Sequence, residues 1–252
     1  MTSEAVTELD AGFVARHAEL AHGYGGSGDP EDPALVQAMQ IVLHIPKDEP
    51  PRRSSLLAAA ATAVVALCMD PRVGAEGEWE QRYLTWKRSR IRKVARRARG
   101  AQWLAAGAVD GVTVEHAGAQ ARALVPGAVG DIDSRIRKLQ IGGTDLEHDA
   151  PGPIDSDIPV LWVNAELGMT VGKAAAQVGH ASMLLAGALP VRQVYTWSLR
   201  GYRCAVRDAE PEQWSSLCDR VRRGSATAVR DAGFTEVAPG SMTVIATAPD
   251  RW

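Results

Sequence analysis

Cysteine is scarce: Cys68, Cys204 and Cys218 are the three in a chain of 252 residues. An odd number at no metal-ligand spacing gives neither a disulfide framework nor a zinc motif. The opening Met-Thr-Ser-Glu-Ala-Val carries acid where a secretory signal needs a basic and then an apolar run, so a reducing cytoplasm is the expected compartment. Long apolar runs are missing too. The uncharged stretch at residues 54–69 has 16 residues and is rich in alanine, against the roughly 20 a bilayer span needs; it predicts a buried helix. Excess charge of either sign is also lacking. The 28 basic and 30 acidic residues leave a net −2, so no global field draws nucleic acid or anionic lipid, and any such attraction depends on local clustering. Lysine is limited to positions 47, 87, 93, 138 and 173, a bias toward arginine that says nothing about function.

What is there is ordinary for a folded protein: 46% hydrophobic and 23% charged residues, which excludes wholly disordered, collagen-like and coiled-coil chains. The length suits one large domain or two small ones, and two are favoured by the pattern. Residues 5–20 predict a short helix with Val6, Leu9, Phe13 and Leu20 on one face. A Gly, Pro and acid segment follows, so residues 1–33 are read as a flexible N-terminal part. This segment holds a formal GxGxxG (Gly23, Gly25, Gly28), but no strand precedes it and Asp29-Pro30 follows where a dinucleotide fold needs a helix. A second Gly, Pro and acid stretch, 142–157, is read as a linker between a block at 34–141 and a block at 158–252.

The two blocks read as copies of one unit. Residues 85–103 and 196–214 align without a gap over 19 positions with seven identities, both tryptophans included. Upstream in each copy a β-rich run (40–45; 160–163) leads through a loop to an alanine-rich helix (56–69; 173–185). Downstream, Val-Glu-His-Ala-Gly at 114–118 matches Val-Arg-Asp-Ala-Gly at 229–233. Each copy reads strand, helix, helix, strand, helix, strand, strand, the last being 243–247 in copy two. The expected fold class is therefore α/β, a small mixed sheet flanked by helices, present twice as a pseudo-dimer.

Two motifs carry candidate chemistry. Glu166-Leu-Gly-Met-Thr-Val-Gly-Lys173-Ala-Ala-Ala-Gln177 follows a strand and opens a helix, which brings backbone N–H groups, a helix dipole and an ammonium to one point, an anion site. It is no P-loop: three residues separate Gly168 and Gly172, and Ala174 stands where Mg²⁺ needs Ser or Thr. A lysine at a helix start also serves as a solvated surface residue. Asp231-Ala-Gly-Phe-Thr235 lies in a turn-rich loop between strands; its carboxylate can accept a proton from water and its hydroxyl can position that water, although such a turn can also cap its own backbone.

GMTVGKAAAQVGHA followed by DAGFTEVAPGSMTV resembles the type 2 peptidyl-tRNA hydrolases over about residues 158–250. The resemblance implies hydrolysis of the ester between a peptide, or an N-acylated amino acid, and the 3′ ribose of tRNA, with no cofactor and no metal. It places Lys173, Asp231 and Thr235 in the catalytic set, with Gly172, Gln177, His180 and Thr243 beside the substrate. The family's usual homodimer fits the pseudo-dimer, hence an expected monomer whose partner is peptidyl-tRNA. Departures stand at Asn164 and Phe234, where the family usually has cations, and at Glu166, where it has Asp. In copy one, Leu56 or Leu57 takes the lysine's place, His116 the aspartate's and Gln120 approximately the threonine's, so that copy is expected to be non-catalytic.

Copy one has instead eight basic residues among the thirteen at 87–99, with no acid. Arg92, Lys93, Arg96 and Arg97 are therefore expected to contact the phosphates of tRNA, with Trp86 and Trp103 as stacking surfaces or, since they recur in copy two, as core. The rival reading from another class is a non-catalytic RNA-binding protein that kept the fold; a third is a deacylase for another acylated tRNA.

Overall fold

The computed structural model describes residues 9–26, 28–232, 236–249 and 252. Helix α1 (Ala11–Ala21) starts where the Asp10 carboxylate accepts the Phe13 N–H at 2.7 Å, which is why it begins later than the apolar spacing predicts. Phe13 and Leu20 are buried as expected, Leu9 is partly covered, and Val6 lies outside the described residues.

Unit one runs β1 (Gln37–His44), α2 (Arg53–Cys68), α3 (Glu80–Lys87), β2 (Arg92–Ala98), α4 (Ala101–Gly107), β3 (Gly111–His116), β4 (Ala119–Leu124), β5 (Gly127–Ala128) and α5 (Ser134–Arg137). Unit two runs β6 (Val160–Asn164), α6 (Val171–Ala188), α7 (Val191–Ser198), β7 (Ala205–Ala209), α8 (Pro211–Arg222), β8 (Thr227–Arg230) and β9 (Met242–Thr247). The first sheet has the order β2-β1-β4-β3, with β5 beside β1; the second has β7-β6-β9-β8. In both, the first strand is parallel to the second and antiparallel to the last, and the last two are antiparallel. The two strand orders are the same once each unit is numbered from its own start. The parallel crossover in each case holds two helices, as a parallel pair requires a long connection.

The agreement reaches single atoms. Trp86 and Trp197 are both fully buried. Their indole N–H groups donate to Arg92 O at 3.0 Å and to Arg203 O at 2.7 Å, six residues on in each case. The residue just before each acceptor, Ile91 or Tyr202, has a left-handed backbone with φ of 45° or 56°. That conformation is costly for a side chain with Cβ and persists only where the surroundings fix it. Here the same tryptophan hydrogen bond fixes it twice.

Helix α2 is buried on nearly every side, as a helix with no polar face must be. It packs on β3 and β4 of its own sheet, on β7 of the other, and most extensively on α6; α6 in turn packs on β8 and β9 of its own sheet and on β2 of the other. The long helices thus lie side by side between the sheets. At Gly179 in α6 a Cβ would sit 2.9 Å from a Val64 methyl in α2, so glycine is what allows this approach. No described helix is long and apolar enough to cross a membrane, and residues 54–69 are buried helix as predicted.

The 142–157 segment holds no helix or strand, yet it is tied to both units. Asp149 accepts from Ser54 N at 2.8 Å and Ser54 Oγ at 2.6 Å, Thr144 Oγ1 accepts the Gly172 N–H, and Arg207 donates to Gly152 O at 2.7 Å. Its composition signalled irregular backbone; the tethers, set by distant partners, make it a docked strap. Beside it, Arg53 of α2 donates to both oxygens of Asp208 on β7 at 2.8 Å, and Arg53 is only 4% exposed. Asp208→Ala would strand that guanidinium in the interior, so an expected loss of about 3 kcal/mol follows, measurable as a lowered denaturant midpoint at unchanged m-value; a loss below about 0.5 kcal/mol would show that the pair is screened.

Candidate active site

The strand-to-helix turn from β6 into α6 and the loop between β8 and β9 meet at one edge of the second sheet. There Lys173 Nζ donates to Asp231 Oδ2 at 2.5 Å, and the same oxygen accepts from Gln177 Nε2 at 2.8 Å. Gln177 Oε1 accepts from Thr243 Oγ1 at 2.7 Å. Lysine and glutamine lie four residues apart on α6 and so share a face. The chain Lys173–Asp231–Gln177–Thr243 is nearly closed to water: the lysine and aspartate side chains are 10% and 8% exposed, and Thr243 is fully buried. Asp231 is also held through its backbone, which bonds Ser241 O and the Gly240 N–H. Gln177 thus fixes one carboxylate oxygen through a buried hydroxyl.

Thr235 and Phe234 lie outside the described residues. Just after them, Glu236 clamps the start of α6, accepting from Thr170 Oγ1 at 2.7 Å and Thr170 N at 3.0 Å. No local pattern signals this clamp, because its partners are 66 residues apart.

The anion site expected from free N–H groups at the start of α6 is not formed that way. Gly172 N–H donates to Thr144 Oγ1 at 2.9 Å, Lys173 N–H to Thr170 Oγ1 at 3.2 Å, and Ala174 N–H to Thr170 O at 2.8 Å. At Thr170, Gly172 and Lys173, donors that helix geometry leaves unpaired are satisfied from within the protein. Gly172 contributes by its size, since a Cβ there would meet Thr144 Oγ1 at 3.1 Å. The Lys173 ammonium is therefore the donor that remains relevant to an anion at this point.

The basic run of unit one is not the exposed stripe its composition predicted. Lys93 and Arg96 are buried. Arg96 donates to Gln40 Oε1 at 2.7 Å and Leu139 O at 2.9 Å, and Arg97 donates to Gln140 Oε1 and to Gly143 O. Arg92 pairs with Asp29 at 2.7 Å, and buried Lys87 pairs with Glu19. The reason is that residues 92–98 form a strand covered on both faces: alternation sends Lys93 toward α6 and Arg96, three residues on, to the opposite face against Gln40 and Leu139. Arg88, Arg90 and Arg99 are the exposed members. Trp86 is core, and Trp103 stacks on His44 with ring centroids 4.8 Å apart.

Lys93 crosses from unit one to α6. Its Nζ lies 3.0 Å from His180 Nδ1, 3.1 Å from Met183 Sδ and over the Trp86 ring. Burial pulls its pKa down to about 7, and burial together with the Lys93 and Lys173 charges holds His180 well below the usual imidazole range. The unfolded chain keeps a proton on this lysine up to about pH 10.4. Between about 7 and 10.4 the unfolded state therefore binds more protons, and stability contributed by this site rises with pH. Lys93→Met should remove that slope and stabilise the protein at pH 7 by about 3 kcal/mol, a discounted conversion of the shift. The check is the difference between variant and parent in denaturant midpoints from pH 6 to 9; a constant difference would show that Lys93 stays charged.

Lys173, Gln177, His180 and Asp231 face a cleft of about 620 Å³ whose other wall includes Arg90, Ile91, Arg92 and Lys93 of unit one. Residues 159–251 match the peptidyl-tRNA hydrolase PTH2 family. The peptidyl-tRNA hydrolase of Haloquadratum walsbyi is 38% identical over 93 residues, 36% of this chain and 83% of that protein. This chain belongs to the peptidyl-tRNA hydrolase PTH2 family. Similar figures hold for the peptidyl-tRNA hydrolase of Methanopyrus kandleri, 33% identical over 36% of this chain and 84% of that protein. The probable peptidyl-tRNA hydrolase 2 of Schizosaccharomyces pombe is 34% identical over 36% of this chain, but only 47% of that protein. The matched segment of this PTH2 member is unit two, which carries the whole lysine–aspartate cluster. Asn164 at the end of β6 has a structural use in it: its side chain accepts the Glu166 N–H at 3.1 Å, closing the turn before α6.

In unit one, strand register shows what stands at the corresponding places. Val114 pairs with Ala121 as Val229 pairs with Val244, which sets His116 at the position of Asp231 and Gln120 at that of Thr243 rather than of Thr235. Leu56 and Leu57 are both fully buried core, and the cation in the first turn of α2 is Arg53, engaged by Asp208.

Proposed function

We propose that unit two, residues 158–252, hydrolyses the ester that joins a peptide or N-acylated amino acid to the 3′ ribose of tRNA, and so recycles tRNA from peptidyl-tRNA in the cytoplasm. The observation that carries this is the Lys173–Asp231–Gln177–Thr243 chain, built in the segment that the family match covers. Asp231 takes a proton from the attacking water as general base. Gln177 and Thr243 keep its carboxylate oriented. Lys173 stabilises the negative charge that develops on the carbonyl oxygen. The C–O3′ bond then breaks and the ribose oxygen leaves with the proton that Asp231 took from the water, which returns the carboxylate to its charged form. Thr235, three residues beyond the described Ala232, positions the water in this scheme. No cofactor enters it.

The proposal extends to the whole chain. The two units, 34–141 and 158–252 joined by 142–157, act as an intrachain pseudo-dimer: equal strand orders, paired tryptophan bonds and reciprocal helix-to-strand packing support it, and with both halves in one chain a monomer suffices. Unit one is non-catalytic, since His116 and Gln120 stand where unit two has Asp231 and Thr243. Its grip on tRNA phosphates rests on the exposed Arg88, Arg90 and Arg99, with Arg92 and Arg97 at their side, while the buried Lys93 and Arg96 hold the strand that presents them. The test is release of labelled N-acetyl-aminoacyl groups from tRNA by purified protein, with Asp231→Ala as control. No release by the parent would favour the RNA-binding alternative, and equal release by parent and control would show that Asp231 is not the base.

A further inference from the structure

The two walls of the cleft come from different units, and both are strand edges. Residues 90–95 line it consecutively on one side and residues 228–232 on the other. A strand that turned a face to a cavity would offer every second residue; a consecutive run is what an edge offers. Strand β2 ends the first sheet and β8 ends the second. Among the described residues, β2 pairs beyond β1 only with Gln140, at Arg97, and no described strand pairs with the second edge of β8. Edge N–H and C=O groups are obligatory hydrogen-bonding groups and a template for another chain.

The floor of the cleft is α6, with Lys173, Ala176, Gln177, His180 and Leu184 in one stripe. From Lys173 to Leu184 the helix rises ~17 Å, the length of roughly five extended residues. Strand β2 runs against it. Arg97 reaches Gly143, close to the Thr144 that caps Gly172, while Lys93 reaches His180 further along the helix. A chain leaving the Lys173–Asp231 cluster along α6 therefore passes between both edges.

We propose that the peptide of the substrate lies in this cleft as an extended strand, its main chain adding to the edge of β2 from unit one alongside β8 from unit two. This rests on the hydrolase reading given above. Main-chain pairing binds a peptide largely irrespective of its sequence, which suits a hydrolase whose substrates differ in every side chain. An RNA strand would instead call for stacking surfaces, and Tyr24 is the one Phe, Tyr or Trp among the described lining residues. The non-catalytic unit then has a defined part in the reaction: it supplies half of the peptide site.

The test uses the full chain and one tRNA carrying N-acetyl-alanine or N-acetylated alanine peptides of two to six residues. kcat/KM should rise at least about tenfold between one and roughly five residues and then level off, since each added main-chain bond strengthens binding and remote binding can be used in the transition state. N-methylation of alternate amides should abolish the gain. Arg97 N–H points out of the sheet to Gln140 O, so Ala95 N–H, two residues earlier, points the same way. Ala95→Pro should lower the ratio of pentapeptide to N-acetyl-alanine substrate toward one, with the melting temperature confirming the fold, because edge strands tolerate proline. A ratio independent of peptide length in an active parent enzyme overturns the proposal and leaves the hydrolase reading intact, and so does a gain that survives both N-methylation and Ala95→Pro. A gain that follows the length of the RNA rather than of the peptide assigns the cleft to the tRNA 3′ strand and also overturns it. No release from any substrate overturns the hydrolase reading and the proposal with it.

Discussion

Asp231→Asn should lower kcat by about 10²–10⁴-fold, the usual contribution of a positioned general base, while leaving KM for N-acetyl-aminoacyl-tRNA within a few-fold. Asparagine keeps the shape and one carboxamide oxygen for Lys173 and Gln177, which in the parent donate to a single carboxylate oxygen at 2.5 and 2.8 Å. What it lacks is the negative charge and the capacity to take a proton. The expected profile is therefore a loss in the chemical step without a loss of binding. Gln177→Leu provides the comparison. It leaves the carboxylate but removes the bond to Thr243 that fixes it, so a smaller reduction of kcat is expected. If Asp231→Asn retained more than a tenth of the parent kcat, the base would have to be sought elsewhere in the cleft.

Trp197→Ala and Trp86→Ala should each cost about 3–5 kcal/mol and lower Tm by roughly 10 °C for a chain of this length. Both rings are completely buried, and each indole N–H closes the turn that enters the second strand of its sheet, at Arg203 O or Arg92 O. Truncation therefore leaves a large cavity and an unpaired carbonyl beside a left-handed residue, Tyr202 or Ile91. The more telling result is the comparison, since equal costs follow from equal roles in two units of one design. Thermal or denaturant unfolding measures it. A cost at one position more than about 3 kcal/mol below the other would show that the repeated tryptophan has been reassigned in that unit.

The fate of the basic run shows where sequence reasoning ran short. Eight cations in thirteen residues look like a surface, and the count is right. Yet the strand is covered on both faces, so Lys93 and Arg96, on opposite faces, both lie inside, and whether they can stay there depends on Gln40, Leu139, His180 and Met183. None of these partners is within forty residues of its cation. The linker failed in the same direction, since Gly, Pro and acid predict irregular backbone correctly but are silent on Thr144 and Asp149 as caps for two distant helices.

The sequence by itself determined what depends on local rules and on internal likeness. The order of strands and helices in each unit, the buried alanine-rich helix at 54–69 and the equivalence of Trp86 and Trp197 were legible from periodicity and a gap-free repeat. The meeting of Lys173 with Asp231 was legible only through the family resemblance that the two motifs carry. Tertiary structure decided the rest, because it depends on which distant groups meet. It filled the N–H groups of α6 with Thr144 and Thr170, set Gln177 between Asp231 and Thr243, and put the edge of β2 across the cleft from β8. A residue's side-chain chemistry is carried in its letter. Its partners, and therefore its charge state and its use, are fixed only when the two sheets close over the helices between them.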